Sequence, residues 1–143
     1  MIAFDIDGVL ADARHREHHL AARPKDWEAF FAAAAADEVI DAGRAALQAA
    51  CTQGAVVLVS GRPERLRSVT LKWLHDHGFG PLDLFLRRDE DRRPAAMVKS
   101  EILTALGGPE LIDRVYDDDP QVIAALLRQG YEVVHFGVEE QVS

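Results

Sequence analysis

The sequence predicts an α/β fold with a parallel sheet that is covered by helices on both faces. Short apolar runs of strand length alternate along the chain with longer segments of helical character. This alternation is typical of doubly wound sheets, in which helices connect parallel strands. We expect five strands and one domain over residues 1–143, with at most a small flap and helical insert over about residues 9–40.

Composition narrows the function classes. The 143 residues are enough for one hydrophobic core. The net charge of −8 argues against a protein that coats nucleic acid, and we expect no stable binding of duplex DNA. No signal peptide and no membrane-spanning run is recognisable, so we expect no membrane association and a cytoplasmic location. The single cysteine, Cys51, excludes an internal disulfide, and its Ala-rich surroundings predict that it is packed.

The first predicted strand leads into two carboxylates. The apolar run Ile2-Ala3-Phe4 is followed by Asp5, Asp7 and Gly8. Residues two apart on a strand face the same side, and glycine permits a sharp turn. One carboxylate can attack or bind, the other can move protons, and both can hold a divalent cation. Acidic residues are frequent here, 24 of 143, so the motif alone is also compatible with an ordinary turn.

Three histidines lie in the predicted insert. His15, His18 and His19 have the i, i+3, i+4 spacing of one helix face, which fits metal ligands or, more commonly, a polar surface. We prefer a third interpretation, in which His15, with Arg14 and Arg16, meets an anionic substrate. The next helix is expected over residues 26–36, with Asp26 as N-cap. Its aromatic residues are expected to pack rather than to stack on bases; they are Trp27, Phe30 and Phe31.

The second strand also ends in polar residues. After a helix over residues 41–53, the run 55–60 ends in Ser60-Gly61-Arg62, and a helix is expected from Pro63 to about His77. A helix start directly after a strand offers backbone N–H groups to an anion. Ser60 adds a hydroxyl and Arg62 a charge, although an ordinary turn between strand and helix has similar residues.

The third strand, over residues 82–86, precedes the charged loop 87–93, for which solvation is the default interpretation. A helix over residues 97–106 follows. Lys99 lies near its start, where a positive charge opposes the helix dipole, so helix stability does not explain this lysine.

The fourth strand, in the segment over residues 114–120, runs into three aspartates. Asp119 can cap the next helix with Pro120 in its first turn, which leaves Asp117 and Asp118 without a local role. Adjacent carboxylates repel, so they require a cation or a lysine nearby. The last helix and strand are expected over residues 120–129 and 132–136. Because ligands bind at the carboxyl ends of parallel strands, one site is expected from Asp5, Asp7, Ser60, Asp117 and Asp118.

These residues resemble the motifs of the haloacid dehalogenase superfamily in its phosphatase branch. Asp5-Ile6-Asp7-Gly8 is similar to the first motif, Ser60 to the second, Lys99 to the third and Asp117-Asp118 to the fourth. Val9 stands where many members have threonine. The resemblance implies a Rossmann-like sheet of the haloacid dehalogenase type.

A closer resemblance is to the 3′-phosphatase domain of phage polynucleotide kinases. It rests on Ser60-Gly61-Arg62, Thr70, Trp73, Arg87, Asp91, Arg93, Val98-Lys99, Glu101-Ile102 and Asp117-Asp118. The loop with His15 and the Asp26-Trp27 segment resemble stand-alone bacterial and phage relatives. No phosphate-binding loop of a kinase is present in the sequence.

The resemblance implies a phosphatase that works through an aspartyl-phosphate. Asp5 would be the nucleophile and Asp7 the proton donor, while Ser60 and Lys99 would bind the phosphoryl oxygens. Asp5, the backbone carbonyl of Asp7 and Asp118 would hold Mg²⁺, with Asp117 supporting. The residues expected to bind substrate are Gly61, Arg62, His15, Arg87 and Arg93.

The resemblance to the phage enzymes implies that the substrate is a 3′-phosphate of a polynucleotide or nucleotide, and the basic residues that recur in loops near the strand ends suit such a substrate. The alternative within the superfamily is a small-molecule phosphatase that acts on a nucleotide or sugar phosphate. A phospho-receiver domain is a remote alternative, because its phosphorylated aspartate ends a middle strand and its lysine comes late. An inactive binding module is the other remote alternative.

Overall fold

The computed structural model describes residues 1–137 and contains the expected parallel sheet of five strands. Its strands lie in the order β5-β4-β1-β6-β7, and every neighbouring pair is parallel. They are β1 (Ile2–Phe4), β4 (Val56–Pro63), β5 (Asp83–Arg87), β6 (Arg114–Asp117) and β7 (Val133–His135). A separate antiparallel ribbon pairs β2 (Ala11–Asp12) with β3 (Glu38–Val39). The prediction of the fold class is confirmed.

Six α-helices lie in the described part of the chain. They are α1 (His18–Ala21), α2 (Trp27–Ala32), α3 (Asp41–Cys51), α4 (Arg67–Asp76), α5 (Ala95–Ala105) and α6 (Pro120–Arg128). Short 3-10 turns occur at Arg14–Arg16, Ala33–Ala36, Glu64–Leu66 and Gly108–Glu110. None of the helices within residues 1–137 has the length and apolarity needed to cross a membrane.

The sheet is buried on both faces. On β1, Ile2 and Phe4 pack in one apolar cluster with α3 and α4, through residues that include Leu47 and Trp73. Ala3 points the other way, into a second cluster with α5 and α6. Successive strand residues therefore all enter a core, which explains why the strands are continuous apolar runs rather than alternating ones.

The insert between β1 and α3 is anchored at both ends beside the carboxyl end of β1. Asp7 forms a β-bridge with Ala11. The ribbon of β2 and β3 then pairs the start of the insert with its end. The N–H of Ile40 donates to the carbonyl of Leu10 at 2.8 Å. Residues of the insert are thereby brought next to Asp7.

Of two predicted helix starts, the one after Asp26 agrees with the structure and the one at Pro63 does not. Asp26 caps α2 as expected and accepts a hydrogen bond from the N–H of Ala29 at 3.0 Å. The helix predicted from Pro63 begins later, because β4 continues to Pro63, which pairs with Arg87 of β5, and a 3-10 turn intervenes. The prediction of a helix start at Pro63 is therefore wrong, and the α-helix begins at Arg67.

Cys51 and Trp27 are less buried than predicted, whereas Phe30 and Phe31 pack as expected. Cys51 is exposed, because its neighbour Ala50 takes the buried position at the end of α3. The ring of Trp27 is 48% exposed and contacts Phe30 and Phe31, which are partly buried, at the edge of the insert. The predicted helix over residues 26–36 is α-helical only to Ala32.

Candidate active site

Three carboxylates meet where β1 and β6 end. Phe4 pairs with Tyr116, so Asp5 and Asp117 emerge side by side from adjacent strands. Asp5, Asp117 and Asp118 each offer an oxygen atom, and these atoms lie within 4.8 Å of one another. We call these three residues the carboxylate cluster. Asp5 and Asp117 are buried and Asp118 is partly buried, so their mutual repulsion is poorly screened by water.

Lys99 of α5 supplies positive charge to this cluster. Its Nζ lies 3.0 Å from Oδ1 of Asp5 and 2.7 Å from Oδ2 of Asp117. Burial alone would lower the pKa of Lys99, but these carboxylates outweigh burial and raise its pKa above the ordinary value. The lysine is therefore charged. Because α5 begins at Ala95, Lys99 lies in the second turn of the helix and not near its start as predicted, and the contact with the two carboxylates accounts for its position.

One lysine does not offset three carboxylates. Burial, with repulsion from Asp117, raises the pKa of Asp5 well above its usual value. Burial and Asp117 also raise the pKa of Asp118 to about 6. Carboxylates that are hard to ionise in the free protein gain from a further cation, and clustered carboxylate oxygens are the ligands that Mg²⁺ and Ca²⁺ prefer. The residues present thus fit a divalent metal ion.

Gly8 lets the chain turn beneath Asp118. Its φ of 84° lies in the left-handed region, and a Cβ atom at this position would lie 1.9 Å from Oδ2 of Asp118. Glycine is therefore needed both for the turn and for the close approach of the Asp118 carboxylate.

We expect Gly8→Ala to remove metal binding and to destabilise the fold, because the methyl group would displace Asp118. Two glycines supply matched controls: Gly80 has a φ of 77° with open space around it, and Gly54 has neither strain nor a neighbour within 4 Å. Gly80→Ala should cost about 1–2 kcal/mol through backbone strain alone, and Gly54→Ala should not destabilise. Urea denaturation with and without Mg²⁺ measures all three. A Gly8→Ala protein that keeps its Mg²⁺-dependent stabilisation would contradict the steric explanation.

Asp7 does not join the carboxylate cluster through its side chain and instead contacts two arginines. Its Oδ1 accepts from Nη2 of Arg62 at 2.6 Å and from Nη2 of Arg16 at 2.9 Å, and its Oδ2 lies 3.3 Å from Nε of Arg62. Burial would raise the pKa of Asp7, but Arg62, followed by Arg16, outweighs burial and holds this pKa below the usual range. The two predicted catalytic aspartates therefore have opposite electrostatic environments.

Asp37 lies behind these arginines, and the sequence analysis did not identify it. Its side chain is fully buried; Oδ1 accepts from Nε of Arg16 at 2.9 Å, and Oδ2 accepts from Nη2 of Arg16 at 2.7 Å and of Arg62 at 3.2 Å. His15 Nε2 lies 2.6 Å from Oδ1. We call Asp7, Arg16, Asp37 and Arg62 the arginine cluster. No local pattern in the Ala-rich segment before Asp37 signals this role.

The polar residues at the end of β4 contact the loop after β5. The hydroxyl of Ser60 is buried and accepts from the backbone N–H of Arg62 at 3.1 Å. The carbonyl of Gly61 accepts from Nε of Arg87 at 2.6 Å, and Arg87 also donates to the carbonyls of Asp91 and Arg93. Arg87 thus fastens the loop to the edge of the site in this structure.

Two other basic residues that were predicted to meet the substrate, Arg93 and Arg14, form ion pairs on the surface. Arg93 pairs with Asp91 and with Glu101 on the surface, and Arg14 pairs with Asp12. The rings of His18 and His19 lie against each other, and the only cluster of metal-ligating side chains found within residues 1–137 is the carboxylate cluster. The roles of His15, Gly61, Arg62, Arg87 and Arg93 toward a substrate stay predictions.

Comparison with known proteins shows which solved structures and which family this chain resembles. No curated protein matches the chain by sequence. A solved structure of the Pnkp1/Rnl/Hen1 RNA repair complex has a chain that superposes with a TM-score of 0.77 at 23% identity, over 95% of this chain and 42% of that one. A second structure of the Pnkp1/Rnl/Hen1 complex has a TM-score of 0.77 at 24% identity, over 94% and 44%. This chain thus spans less than half the length of those two chains.

A third structure, of a protein described as a β-phosphoglucomutase from Thermotoga maritima, has a TM-score of 0.60 at 17% identity, over 94% of this chain and 86% of that one. At these identities the superpositions show the fold. The family is shown by sequence, because the model of the "Polynucleotide kinase PNKP phosphatase domain" family matches residues 1–140. The chain therefore belongs to the haloacid dehalogenase-type phosphatases, in the family of PNKP phosphatase domains.

Proposed function

We propose that this phosphatase domain removes a phosphate from the 3′ end of a polynucleotide or nucleotide through an aspartyl-phosphate on Asp5, with Mg²⁺ as cofactor. The observation that carries this proposal is the pairing of two aspartates in opposite environments. Asp5 lies with Lys99 in the carboxylate cluster, whereas Asp7 is held by two arginines. One is suited to accept a phosphoryl group and the other to move protons.

In the first step, a carboxylate oxygen of Asp5 attacks phosphorus and the bond to the leaving oxygen breaks. Lys99 and the backbone N–H of Ile6 hold Oδ1 of Asp5 at 3.0 and 2.8 Å, which orients the carboxylate. Lys99 and Ser60 then stabilise the charge that develops on the phosphoryl oxygens. In the second step, water attacks phosphorus, the bond to Asp5 breaks and inorganic phosphate leaves.

Asp7 transfers protons in both steps. Its Oδ1 accepts the two shortest arginine contacts, so Oδ2 is the atom that carries a proton to the leaving oxygen and later takes one from the attacking water. In the free site the arginines hold the pKa of Asp7 low. An incoming phosphate dianion acts in the opposite direction, because like charge raises the pKa of a carboxyl.

Mg²⁺ would be held by Asp5, the backbone carbonyl of Asp7 and Asp118, with Asp117 in support. Oδ2 of Asp117 contacts Lys99 and its Oδ1 accepts from the N–H of Asp119, which fits a supporting role. When bound, the ion supplies positive charge that offsets the carboxylates and the phosphate.

We expect a strict Mg²⁺ requirement with a marked pH dependence. Because the pKa of Asp118 is raised to about 6 in the metal-free protein, a proton competes with the ion below that pH. Affinity should therefore weaken as pH falls through 6, by up to about tenfold per pH unit for one proton. The Mg²⁺-dependent rise in Tm at pH 5 and at pH 7.5 measures this effect, with Asp118→Asn as the control that loses it. Equal rises at both pH values, or full activity in excess chelator, would refute the prediction.

A polynucleotide end is the proposed substrate because the family model is that of a polynucleotide kinase phosphatase domain and the Pnkp1 structures come from complexes with Rnl and Hen1. The loop after β5 adds exposed basic residues near Gly61. The side chains of Arg87 and Arg93 contact the protein itself, whereas the side chains of Arg88 and Arg92 are exposed and make no hydrogen bond or ion pair within residues 1–137. These two exposed arginines are available to phosphates beyond the terminal one.

We expect kcat/KM to be higher for a 3′-phosphorylated oligonucleotide than for the matching mononucleotide. The preference should shrink with added salt, because it depends on contacts to further phosphates. Arg88→Ala and Arg92→Ala should reduce it while leaving mononucleotide turnover unchanged. Equal or better turnover of the mononucleotide, insensitive to salt, would point to a small-molecule phosphatase instead. Absence of turnover on every phosphomonoester would support the inactive-module alternative.

A further inference from the structure

Two buried arginines, Arg16 and Arg62, contact the same proposed proton donor, Asp7, and the proposed reaction does not explain why both are present. The side chains of Arg16 and Arg62 are 0% and 2% exposed. Their charges are matched by Asp7, which is 31% exposed, and by Asp37, which is fully buried. A buried charge requires a paired partner, so Asp37 is the internal counterion that keeps both guanidinium groups in place.

We infer that Asp37 is a positioning residue for proton transfer by Asp7, an inference that rests on the proposed phosphatase reaction. Asp37 contacts both arginines, through Oδ1 and Oδ2 to Arg16 and through Oδ2 to Arg62. The same two guanidinium groups reach Oδ1 of Asp7. Asp37 thus directs the Nη2 atoms of both arginines to Oδ1 of Asp7, whereas Oδ2 accepts only the longer contact of 3.3 Å from Nε of Arg62 and is the oxygen more available to a leaving group.

The surroundings of Asp37 hold it rigidly. Its backbone carbonyl accepts from Nε1 of Trp73 at 2.9 Å, and Trp73 is buried against the sheet on α4. Nη1 of Arg62 donates to the hydroxyl of Thr70 at 3.0 Å, on the same helix. Asp37 also directly precedes β3, whose pairing with β2 ties it to the turn after Asp7. The insert and α4 therefore meet at Asp37, and the geometry of Asp7 depends on their contact.

The proposed role predicts an effect on only one kind of substrate. In phosphoryl transfer to Asp5, the bond from phosphorus to the leaving oxygen breaks, and an alkoxide must gain the proton from Oδ2 of Asp7. A nitrophenolate leaves without that proton. A misplaced Asp7 should therefore slow the transfer from benzyl phosphate and spare the transfer from p-nitrophenyl phosphate.

The test compares kcat/KM for these two substrates, since kcat/KM reports the transfer step. Asp37→Asn should reduce the value for benzyl phosphate at least about tenfold more than the value for p-nitrophenyl phosphate. The ratio of the two values does not depend on the fraction of folded protein, so partial unfolding of the variant does not affect the result. Hydrolysis of the phosphorylated Asp5 should also slow, which gives a burst of p-nitrophenolate.

Three further variants complete the design. Asp7→Asn removes the proton donor itself, so kcat/KM for benzyl phosphate should fall, relative to that for p-nitrophenyl phosphate, by more than in Asp37→Asn. The double variant Asp7→Asn, Asp37→Asn should show no larger selective loss than Asp7→Asn alone. Leu126→Ala, in the apolar cluster on the opposite face of the sheet, destabilises the fold and should lower both values together.

An equal loss on both substrates in Asp37→Asn, or an additional selective loss in the double variant, would overturn the positioning role while leaving the phosphatase proposal intact. A wild-type protein that hydrolyses neither these substrates nor any 3′-phosphate would overturn the proposed function and this inference with it.

Discussion

Replacing Asp5 by asparagine should abolish turnover while the protein stays folded. The amide is nearly isosteric with the carboxylate but is a poor nucleophile, so the loss should be at least about 10³-fold. The change also removes a buried carboxylate whose pKa is raised mainly by burial and by Asp117. The metal-free variant should therefore be at least as stable as the wild type near neutral pH. Steady-state kinetics and thermal denaturation in chelator measure the two effects.

Asp113→Asn is the matched control, because Asp113 is an exposed carboxylate that pairs with the N-terminal amine. It should leave turnover unchanged. Mass spectrometry excludes deamidation of the new asparagine at position 5. Activity of Asp5→Asn above about 10% of the wild-type value, with deamidation excluded, would remove Asp5 from the role of nucleophile.

Replacing Lys99 by methionine should affect both catalysis and folding. The side chain is buried between Asp5 and Asp117, and its loss leaves the carboxylate cluster without a resident cation. The free energy of unfolding in chelator should fall by about 3–5 kcal/mol, as for other buried pairs that lose one partner. Turnover should fall by about 10²–10³-fold, because a charge that stabilises the phosphoryl oxygens is gone.

Lys72→Met provides the comparison on the surface. Lys72 pairs with Asp76 at 2.6 Å in α4, but both side chains are largely exposed, so the free energy of unfolding should hardly change. Mg²⁺ should also stabilise Lys99→Met more than it stabilises the wild type, since the ion would then be the sole cation among three carboxylates. A Lys99→Met protein as stable as Lys72→Met in chelator would show that Lys99 is not needed for charge compensation.

The sequence was sufficient for the features that depend on neighbouring residues. Short runs of strand length marked all five strands of the sheet, and they are largely apolar because both faces of a parallel sheet are buried. The strand ends then located Asp5, Ser60 and Asp117, since ligands bind on that side of such sheets. The adjacent carboxylates of Asp117 and Asp118 also predicted a positive charge nearby, and Lys99 supplies it in the structure.

Element boundaries near the site were harder to predict. A strand followed by Ser60-Gly61-Arg62-Pro63 favoured a helix start at Pro63, yet β4 continues because Pro63 pairs with Arg87. The exposure of Trp27 and Cys51 likewise depends on which residues, distant in the sequence, pack against them in the fold. Local propensity does not contain that information.

By itself, the sequence determined the fold class and the places of Asp5, Ser60 and Asp117 along the strands, because these depend on apolar runs of strand length and on the residues that follow them. Only the tertiary structure decided how the charges pair. Asp37 meets Arg16 across 21 residues and Arg62 across 25, and Asp7 meets Arg62 across 55. These contacts lie far beyond the reach of any local pattern. They form because folding brings the insert, β1 and β4 together in a buried space where each charge requires a partner.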